Sequence, residues 1–454
     1  MGSPDRQGET KEDDEQRELA GSNRQEQEYP CSQRNPEDRY QRTPGDSCEQ
    51  EPDGIRWLND LPEVVTGFDI KNIEIVLKAL GSPQDNLRCI HVAGTNGKGS
   101  VCAMVASALQ DAGYRTGLYT SPHMDLINER IRVDSRMISD QDLDRIIRLI
   151  RAASVKEHVQ LTFFEYLTSA AFIYFAEQET DYAVFETGMG GRLDATNVIT
   201  PIVSVITSIA LDHTDQLGRT IEEIAAEKAG IIKKGSVLVT ANEDGALRVI
   251  KEQCNKVGCR MVLPDKQSPA YELSLKGSFQ QENAALAETA LLQLGIKGLD
   301  SNLIRASFKK VFWPGRFEYI RDNIIIDGAH NPSALDRLLK DILCLSYRRL
   351  IVVFGVMKDK DIAAMAGRLE KASDMMILTS PCVQRDGRMR AASTTHLSSF
   401  FSGSVEEIAD VQEAVRHALS VACRDDLIVV TGSLFTVAEA RRFFKKSMYT
   451  RAKP

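Results

Sequence analysis

One short stretch constrains the fold of this chain more than any other. An apolar run, Leu87–Ala93, ends in the glycine-rich turn Gly94-Thr95-Asn96-Gly97-Lys98-Gly99-Ser100. Apolar residues then recur at helical spacing, at Val101, Met104, Val105, Ala108 and Leu109. A strand, a glycine turn, a lysine, a hydroxyl group and a helix follow one another in nucleotide phosphate-binding loops. The stretch therefore predicts a nucleotide site.

The chemistry of this turn supports that prediction, although its spacing departs from the standard Walker pattern. Glycines let backbone N–H groups converge on phosphates, and the helix N-terminus adds partial positive charge. Lys98 is expected to reach the terminal phosphates and Ser100 to ligate Mg²⁺. The standard pattern needs a glycine where Val92 stands, and here Gly99 separates the lysine from the hydroxyl.

Short strand-like runs alternate with helical runs along most of the chain, which predicts parallel sheets covered by helices on both faces. The predicted strands of a first set are Leu87–Ala93, Thr116–Thr120, Tyr182–Glu186, Ile202–Thr207 and Ser236–Thr240. Its predicted helices are Gly99–Ala112, Ser139–Ala153, Phe164–Glu177, Ile221–Ala229 and Gly245–Val257. A second set contains Ile324–Asp327, Ala334–Leu345, Arg349–Phe354, Ile362–Lys371, Met375–Thr379, Val411–Cys423, Leu427–Thr431 and Thr436–Lys446. The predicted fold class is thus α/β, with a P-loop-type, mainly parallel nucleotide-binding domain followed by a smaller Rossmann-like α/β domain.

The break Trp313-Pro314-Gly315-Arg316 divides the two sets. It predicts an ATP-binding domain over residues 55–313, a linker over 314–317 and a smaller domain over 318–454. A cleft between two α/β domains is the usual place for a site that takes several substrates.

Composition excludes several other classes of protein. The chain has 454 residues and a net charge of −8, and its first 54 residues hold fifteen acidic and seven basic residues, leaving 49 of each elsewhere. The charges form no basic stripe of the kind that binds nucleic acid, and no apolar run is long enough to span a membrane. Residues 1–54 are predicted to be a disordered acidic tail rather than a targeting signal. Nine cysteines without C-x-x-C pairs are typical of reduced thiols in the cytoplasm.

Further polar clusters lie where strands end or helices begin, and each has a structural reading beside a functional one. Glu165 opens an apolar helix, where the helix dipole alone favours a carboxylate, and Lys228 stands near a helix C-terminus, where the dipole favours a cation. Asp212-His213 follows a strand and is a candidate ligand pair. Asp327 is suited to a ribose hydroxyl, and Asn331 is suited to capping the helix that begins at Pro332.

Taken together, the motifs resemble those of the folylpolyglutamate synthases and dihydrofolate synthases, which belong to the Mur ligase superfamily. The motifs that carry the resemblance are Gly94–Ser100, Thr120-Ser121-Pro122-His123, Glu186–Asn197, Leu211-Asp212-His213, Glu227-Lys228-Ala229-Gly230, Gly315-Arg316 and Asp327–Pro332. They occur in the family's order across residues 55 to 454. The irregular phosphate loop is then the family's own variant.

The resemblance implies an ATP-dependent ligase that joins L-glutamate to dihydropteroate, to the γ-carboxylate of a folate, or to both. ATP would phosphorylate the carboxylate to an acyl phosphate, which the glutamate amine then attacks. Phosphoryl transfer needs the phosphate charge to be neutralised and the reacting groups to be aligned, more than it needs covalent catalysis by the protein.

The resemblance also implies roles for individual residues toward ATP and metal. Ser100, Glu165 and His213 match positions that hold Mg²⁺, of which two ions are expected, and Lys228 matches a lysine that becomes carbamylated. Asn283, Arg316 and Asp327 match nucleotide contacts, with Arg316 at phosphate and Asp327 at ribose. The family usually has a His immediately before this Gln, and here Phe279 stands in its place. Of that motif, Gln280 and Asn283 are the residues that match.

On the substrate side, His330 and Ser433 match positions associated with the incoming glutamate. The loop of Ser121, Pro122 and His123 matches a segment near the pterin substrate and the cleft. Lys98, Lys228 and His330 are the predicted catalytic residues, and Pro314–Gly315 is the predicted hinge of domain closure.

Two rival functions are less consistent with the sequence. A Mur ligase of cell-wall synthesis would need a UDP-binding domain, for which residues 55–86 are too few. A nucleotide-dependent switch would need an Asn/Thr-Lys-x-Asp base-recognition loop, and the chain has that pattern only at Thr10–Asp13, within the predicted disordered tail. The sequence leaves open which of the two folate activities is present, with a bifunctional enzyme favoured. It also predicts a cytoplasmic monomer whose partners are small molecules.

Overall fold

In the computed structural model, the described residues are 54–59, 61, 69–385 and 388–451. The strands are β1 (Cys89–Ala93), β2 (Thr116–Tyr119), β3 (Ile131–Val133), β4 (Arg136–Met137), β5 (Tyr182–Glu186), β6 (Val203–Ile206), β7 (Val237–Thr240), β8 (Arg260–Val262), β9 (Glu318–Arg321), β10 (Ile324–Ile326), β11 (Leu350–Phe354), β12 (Met375–Leu378), β13 (Gln384–Arg385), β14 (Arg388–Met389), β15 (Glu406–Glu407) and β16 (Leu427–Thr431). The helices are α1 (Gly54–Asn59), α2 (Lys71–Ala79), α3 (Lys98–Asp111), α4 (Asp140–Lys156), α5 (Phe163–Glu177), α6 (Thr214–Leu217), α7 (Ile221–Ala229), α8 (Asp244–Val257), α9 (Phe279–Leu292), α10 (Ser301–Phe308), α11 (Pro332–Ile342), α12 (Ile362–Ala372), α13 (Thr394–Ser398), α14 (Val411–Val421) and α15 (Leu434–Arg451). The predicted acidic tail, residues 1–54, lies outside the described residues except for Gly54.

The first sheet, which organises the first lobe, has the strand order β4-β3-β2-β5-β1-β6-β7-β8 within the described residues. Strand β1 lies in the middle, parallel to β5 and β6, with Val92 opposite Glu186 and Ala93 opposite Ile206. Parallel strands end at the same edge of a sheet, so the loops after β1, β5 and β6 meet there. That edge places the phosphate-binding turn beside Glu186 and the loop that carries His213.

Helix α3 begins at Lys98 directly after the turn and is apolar around its whole circumference. Its residues from Gly99 to Ala106 are buried, because α9 and α10 cover it on the side away from the sheet. Such a helix is stabilised by burial on every side rather than by an amphipathic face. Helices α4 and α5 cover the other face of the first sheet.

The second sheet, which organises the second lobe, has the order β15-β12-β11-β16-β10-β9 in the described residues. Its strands are parallel except β9, which pairs antiparallel with β10. Two apolar clusters cover its two faces, one with α11 and α12 and the other with α14 and α15. The two sheets lie on either side of Trp313–Arg316, whereas the domain boundaries themselves stay a prediction.

The alternating pattern identified the parallel strands well, and the α/β class is confirmed. Tyr182–Glu186, Ile221–Ala229 and Leu427–Thr431 have the predicted bounds, and other predicted elements shift by a few residues at their ends. The sequence pattern missed the antiparallel strands β3, β4 and β9 and the short parallel strands β8 and β15. These strands have two to four residues and lie at or next to sheet edges, so little apolar pattern marks them. In the described part of the chain, no helix is both long and apolar enough to cross a membrane.

Candidate active site

A cavity of about 770 Å³ lies between the carboxyl edge of the first sheet and the loops of the second lobe. The predicted site residues that line it are Gly94, Thr95, Asn96, Gly97, Lys98, Gly99, Ser100, Ser121, Pro122, Glu165, His213, Lys228, Asn283, Arg316, Asp327, His330 and Ser433. His123 is outside this lining and accepts a hydrogen bond from Arg130 Nε on its Nδ1 at 3.0 Å. Residues spread over some 340 positions of sequence thus surround one space.

The shape of the phosphate-binding turn requires glycine at two positions. Gly94 has φ of 150°, and a Cβ there would lie 1.8 Å from Thr207 Oγ1. Gly97 has φ of 92°, and a Cβ there would lie 2.3 Å from Asn283 Oδ1. Both positions need a residue without a side chain, because φ in this range is unfavourable for others and neighbours fill the space.

Two lysines meet at one carbonyl oxygen beneath this turn. Lys98 Nζ donates to Gly94 O at 3.1 Å and to Thr95 O at 3.3 Å, while Lys228 Nζ donates to Gly94 O at 2.9 Å. Burial, followed by the charge of Lys98, lowers the pKa of Lys228 from 10.5 to about 7. A substantial fraction of the Lys228 amine is therefore neutral at physiological pH, which makes it a nucleophile.

Helix α9 supports the turn from the side through Gln280 and Asn283. Gln280 Nε2 donates to Ser100 Oγ at 3.3 Å, and Asn283 Nδ2 donates to Gln280 Oε1 at 2.8 Å. Gln280 and Asn283 are buried. This chain of amides fixes the Ser100 hydroxyl at the start of α3.

Glu165, predicted from the resemblance to hold Mg²⁺, forms the capping box of α5. Its Oε2 accepts the Thr162 N–H at 2.7 Å, and its own N–H donates to Thr162 Oγ1 at 3.2 Å. The helix-start reading of this carboxylate is confirmed by these bonds. Its metal role stays a prediction, although the side chain also lines the cavity.

Glu186, the last residue of β5, also lines the cavity, although the sequence analysis did not name it as a candidate ligand. It is buried, and its Oε2 accepts the Ser121 N–H at 3.1 Å. A Cβ on Gly99 would lie 3.5 Å from that oxygen, so the carboxylate stands directly beside the start of α3. Burial raises the pKa of Glu186, and the charges of Lys98, Arg316 and Arg130 oppose the rise. The sequence contained a signal for this residue, because Glu186 is an acid at the end of a predicted strand, and that strand pairs with β1.

The Asp212–His213 loop is held by side chains of the second lobe. Lys360 Nζ lies 2.7 Å from Asp212 Oδ1 and 3.1 Å from His213 Nε2. Asn331 Nδ2 donates to Asp212 Oδ2 at 3.0 Å and to Asn96 Oδ1 at 3.0 Å. Asn331 Oδ1 also accepts the Ala334 N–H at 2.8 Å, which confirms the predicted cap of α11. One asparagine thus links the phosphate-binding turn, the His213 loop and a helix of the second lobe.

Burial is the largest influence on the His213 ring, followed by the charge of Lys360, and together they lower the pKa of His213 to about 4. His213 is therefore neutral at physiological pH, with a lone pair on one ring nitrogen. His330, on the second lobe, has Nδ1 2.9 Å from Gly328 O and Nε2 3.5 Å from Asp212 Oδ2.

The predicted nucleotide contacts of the second lobe stand on a rigid loop. Asp327 Oδ2 accepts the Phe317 N–H at 2.7 Å, and Asp327 Oδ1 accepts the Ala329 N–H at 2.8 Å. A Cβ on Gly328 would lie 2.7 Å from Arg316 Nη1, so glycine there makes room for the guanidinium. Asp327 therefore organises the loop that presents Arg316 to the cavity.

Ser433 directly precedes α15 at the far side of the cavity. Its Oγ lies 2.8 Å from Thr436 Oγ1 and accepts the Thr436 N–H at 3.1 Å, so it caps the helix. The hydroxyl is buried and shares the cavity lining with His330.

The donor chemistry fits a magnesium ion that a nucleotide brings with it. No group of three or more His, Cys, Asp or Glu side chains in the described residues could hold an ion unaided. Mg²⁺ in nucleotide sites takes one or two protein oxygens and completes its shell with phosphates and water. The Ser100 hydroxyl and the Glu186 carboxylate, both beside the start of α3, provide that kind of donor.

Two family models match the chain: "Mur ligase middle domain" over residues 92–297 and "Mur ligase, glutamate ligase domain" over residues 315–434. The dihydrofolate synthase/folylpolyglutamate synthase of Bacillus subtilis is 35% identical over 428 residues, which cover 87% of this chain and 99% of that protein. A probable bifunctional folylpolyglutamate synthase/dihydropteroate synthase of Halobacterium salinarum is 37% identical over 403 residues, 81% of this chain. The match spans 48% of the length of the Halobacterium protein.

Solved structures agree with these matches in fold. Mycobacterium tuberculosis folylpolyglutamate synthase, complexed with ADP and AMPPCP, superposes with a TM-score of 0.78 at 31% identity and covers 86% of this chain and 97% of its own. The bifunctional enzyme of Yersinia pestis, complexed with AMPPNP and a Mn ion, gives a TM-score of 0.76 at 29% identity, covering 87% and 99%. The chain therefore belongs to the folylpolyglutamate synthase/dihydrofolate synthase family of the Mur ligase superfamily.

Proposed function

We propose that this ATP-dependent ligase joins L-glutamate to both dihydropteroate and a reduced folate, as a bifunctional enzyme. The observation that carries the proposal is the shared cavity. The phosphate-binding turn of the first lobe lies there with His330 and Ser433 of the second, which match the glutamate positions of the family. The bifunctional names of several relatives support the choice of both substrates.

The reaction has two steps, both of which this cavity suits. A carboxylate oxygen of the pteroate or folate attacks the γ-phosphorus of ATP, the bond to the bridging oxygen breaks, and ADP leaves. The glutamate amine then attacks the acyl carbon, inorganic phosphate leaves with the electrons of the C–O bond, and the amine proton is lost. An amide, ADP and phosphate result, and an enclosed cavity protects the acyl phosphate from water.

The first lobe supplies the charge for phosphoryl transfer. Lys98 is assigned to the terminal phosphates, and the N–H groups of the glycine turn are assigned to the phosphate oxygens. Ser100, Glu165 and His213 are the metal positions implied by the family resemblance, and we add Glu186 because its buried carboxylate lies beside Ser100. A divalent ion bound there would neutralise phosphate charge. Two ions remain the expectation.

Lys228 is proposed to carry a carbamate. Its neutral amine nitrogen would bond to the carbon of CO₂ and release one proton, which converts a buried cation into an anion. The lowered pKa and the burial of Lys228 next to Gly94 favour this modification over an ordinary ammonium group. The carbamate would then face the metal positions as an oxygen donor.

The second lobe and the cleft loop are assigned to substrates. Arg316 is assigned to phosphate. Asp327 is assigned to the ribose, and its two oxygens also accept backbone N–H groups that fix the loop on which it stands. Asn283 remains a proposed nucleotide contact. The loop of Ser121, Pro122 and His123 is assigned to the folate side, with Ser121 nearest the cavity and His123 oriented through Arg130. A monomeric state and a cytoplasmic location complete the proposal.

Phosphate release measured with purified protein tests this function. Release from ATP should require L-glutamate together with dihydropteroate, and equally L-glutamate together with tetrahydrofolate. Parallel complementation of strains that lack each activity checks the same point in cells. Phosphate release that is indifferent to glutamate and to both pterins would contradict ligase activity. Dependence on one pterin alone would leave a ligase but remove bifunctionality.

A further inference from the structure

Lys360 is a buried lysine of the second lobe whose ammonium group reaches the first lobe. It lies in the turn between β11 and α12, where its N–H donates to Met357 O at 3.3 Å and its carbonyl accepts the Ile362 N–H at 2.8 Å. Its side chain is 7% exposed, and Nζ lies 2.7 Å from Asp212 Oδ1. The backbone of Lys360 is therefore fixed while its charge stands at the junction of the lobes.

The contact between Lys360 and His213 limits what the imidazole can bind. Lys360 Nζ lies 3.1 Å from His213 Nε2, and an ammonium group can only donate. Nε2 must therefore be the bare ring nitrogen, with its lone pair directed at Lys360. A ring nitrogen has one lone pair, so it cannot accept from Lys360 and coordinate a metal ion together.

Charge strengthens this exclusion. A divalent ion at Nε2 would meet the ammonium group within a few ångströms, where two cations repel strongly. Two carboxylates stand near this contact: Asp212, whose Oδ1 is engaged by Lys360 and Oδ2 by Asn331 Nδ2 at 3.0 Å, and Asp359, whose Oδ2 lies 3.7 Å from both His213 Nδ1 and Lys360 Nζ. While Lys360 is in place its ammonium group offsets their charge, and its withdrawal would leave that charge to an ion. Lys360 and Asn331 both belong to the second lobe, so the position of that lobe sets the charge at the His213 ring.

We propose that Lys360 is a positioning residue that competes with a divalent cation for His213 Nε2, so that the ion binds there once Lys360 withdraws. This inference rests on the proposed metal role of His213. His213 Nε2 then has two alternative partners, the ammonium group of Lys360 and a divalent ion. With Lys360 bound the two lobes are linked at this point, and with the ion bound that link is released. Because coupling between sites is reciprocal, an ion at His213 should also loosen Lys360.

The test compares Mn²⁺ affinity of the full-length protein without nucleotide, measured by electron paramagnetic resonance, in wild type, Lys360→Met and Lys358→Met. Lys358 is the matched control, since it lines the same cavity but its Nζ donates to Met389 O at 3.1 Å. We expect Lys360→Met to bind Mn²⁺ at least about fivefold more tightly, Lys358→Met to change less than about twofold, and Lys360→Arg, which keeps a cation, to stay near wild type.

Three results would overturn the inference. Equal gains in Lys360→Met and Lys358→Met would mean general electrostatics, whereas an unchanged or weaker affinity in Lys360→Met would mean that Lys360 does not compete. Absence of Mn²⁺ binding in both the wild type and Lys360→Met would remove the proposed metal site, and the inference with it.

Labelling the wild-type protein supplies a second readout that does not need a variant to fold. Mass spectrometry after amine acylation should show Lys360 becoming more reactive when Mn²⁺ is added, with Lys358 as the internal reference. Reactivity of Lys360 that does not respond to Mn²⁺ would contradict the exchange.

Discussion

Glu186 in the first lobe and Asp327 in the second occupy equivalent places, since each acid stands at the carboxyl end of a buried parallel strand and precedes a glycine loop. Both are buried, and burial is the largest influence raising the pKa of each. Their surroundings differ. Both Asp327 oxygens accept backbone N–H groups of residues nearby in sequence, whereas Glu186 accepts one backbone N–H, that of Ser121, and stands at the start of α3 near the charge of Lys98. Arg316 is close enough to influence both acids. The same sequence signal thus gives a scaffold in one lobe and a candidate ligand in the other.

The largest expected effect separates Glu186 from Glu165, the carboxylate that the family resemblance selects for metal. If Glu186 holds the ion, Glu186→Gln should lower kcat by about 10²–10³-fold, the usual cost of losing one electrostatic stabiliser of the transition state. The matched variant Glu165→Gln keeps an acceptor for the Thr162 N–H and should lose less than about tenfold. Steady-state kinetics measures both. If Glu165→Gln is the more severe variant, the metal assignment from resemblance is right and ours is wrong.

Stability gives an independent check on Glu186. Its pKa is raised in the folded protein, so the folded state is less stable when the group must ionise. This penalty is absent below the unfolded value near 4.5 and grows as pH rises through the raised folded value. Thermal unfolding of Glu186→Gln at pH 7 should therefore show a Tm equal to or above that of wild type. A clear fall in Tm would indicate that the carboxylate is a scaffold like Asp327.

The next effect concerns Lys228, whose Nζ donates to Gly94 O of the glycine turn. We expect Lys228→Met to lose about 10- to 100-fold in activity, as for loss of a group that orients metal ligands, with partial rescue by added acetate. Native mass spectrometry of wild type under CO₂ should show one bound CO₂, absent in the variant. An unmodified wild type with full activity would remove the carbamate.

The stability of the Lys228 variant should depend on pH in a defined direction. For the unmodified amine, the folded pKa of about 7 lies below the ordinary 10.5, so the unfolded state holds the proton more tightly. The wild-type protein therefore gains stability as pH rises from about 7 to 10.5. The advantage of Lys228→Met in Tm should be largest below pH 7 and disappear near pH 10.5. A constant advantage across that range would contradict the lowered pKa.

Asp327→Asn should cost more stability and less turnover than Glu186→Gln. An amide can accept one of the two backbone N–H groups of Phe317 and Ala329, and its NH₂ group faces the other. We expect unfolding free energy to fall by about 1–3 kcal/mol, the cost of an unsatisfied buried donor, with kcat reduced less than in Glu186→Gln. Chemical denaturation and kinetics on the same preparation check this. A stable variant that fails chiefly in ATP affinity would make Asp327 a ligand first.

The comparison also shows what the sequence could predict. Parallel strands such as β1 and β16 are buried on both faces, so continuous apolar runs marked them and the motifs at their ends could be placed on one edge. The partners of the acids could not be predicted in this way. Whether both oxygens of a carboxylate meet backbone N–H groups of residues nearby in sequence, as in Asp327, or the carboxylate stands beside a phosphate-binding turn, as in Glu186, depends on how the fold arranges the loops around each strand end.

Lys360 illustrates the same limit more sharply. It carries no motif that sequence reasoning used, and it lies 148 positions from Asp212. The sheet order of the second lobe places its turn at the cavity, so topology rather than local pattern creates the contact. Helix α9 was missed for a related reason, since it is buried on much of its surface and lacks a clear amphipathic period.

The smallest expected effect tests whether the segment between the two lobes works as a hinge. Gly315 has φ of 68°, and a Cβ there would lie 3.0 Å from Val437 Cγ1 and 3.1 Å from Met124 Cε. Gly113 has φ of 87° with nothing within 4 Å, which makes it the matched control. Alanine at either position should cost about 1–2 kcal/mol of stability, because left-handed backbone is unfavourable for it.

Only Gly315→Ala is expected to affect turnover, because closure must bring glutamate to the acyl phosphate while the nucleotide is already held by the first lobe. We expect kcat to fall severalfold with ATP affinity nearly unchanged, because closure of the lobes takes place after ATP has bound. Equal losses of kcat and ATP affinity would count against the hinge, and a matching fall in Gly113→Ala would trace the effect to stability. Lobes that move about Gly315 would also explain why Glu186 and Asp327 need different surroundings. The acid on the nucleotide side must meet phosphate before closure, and the acid on the second lobe must keep its loop rigid through it.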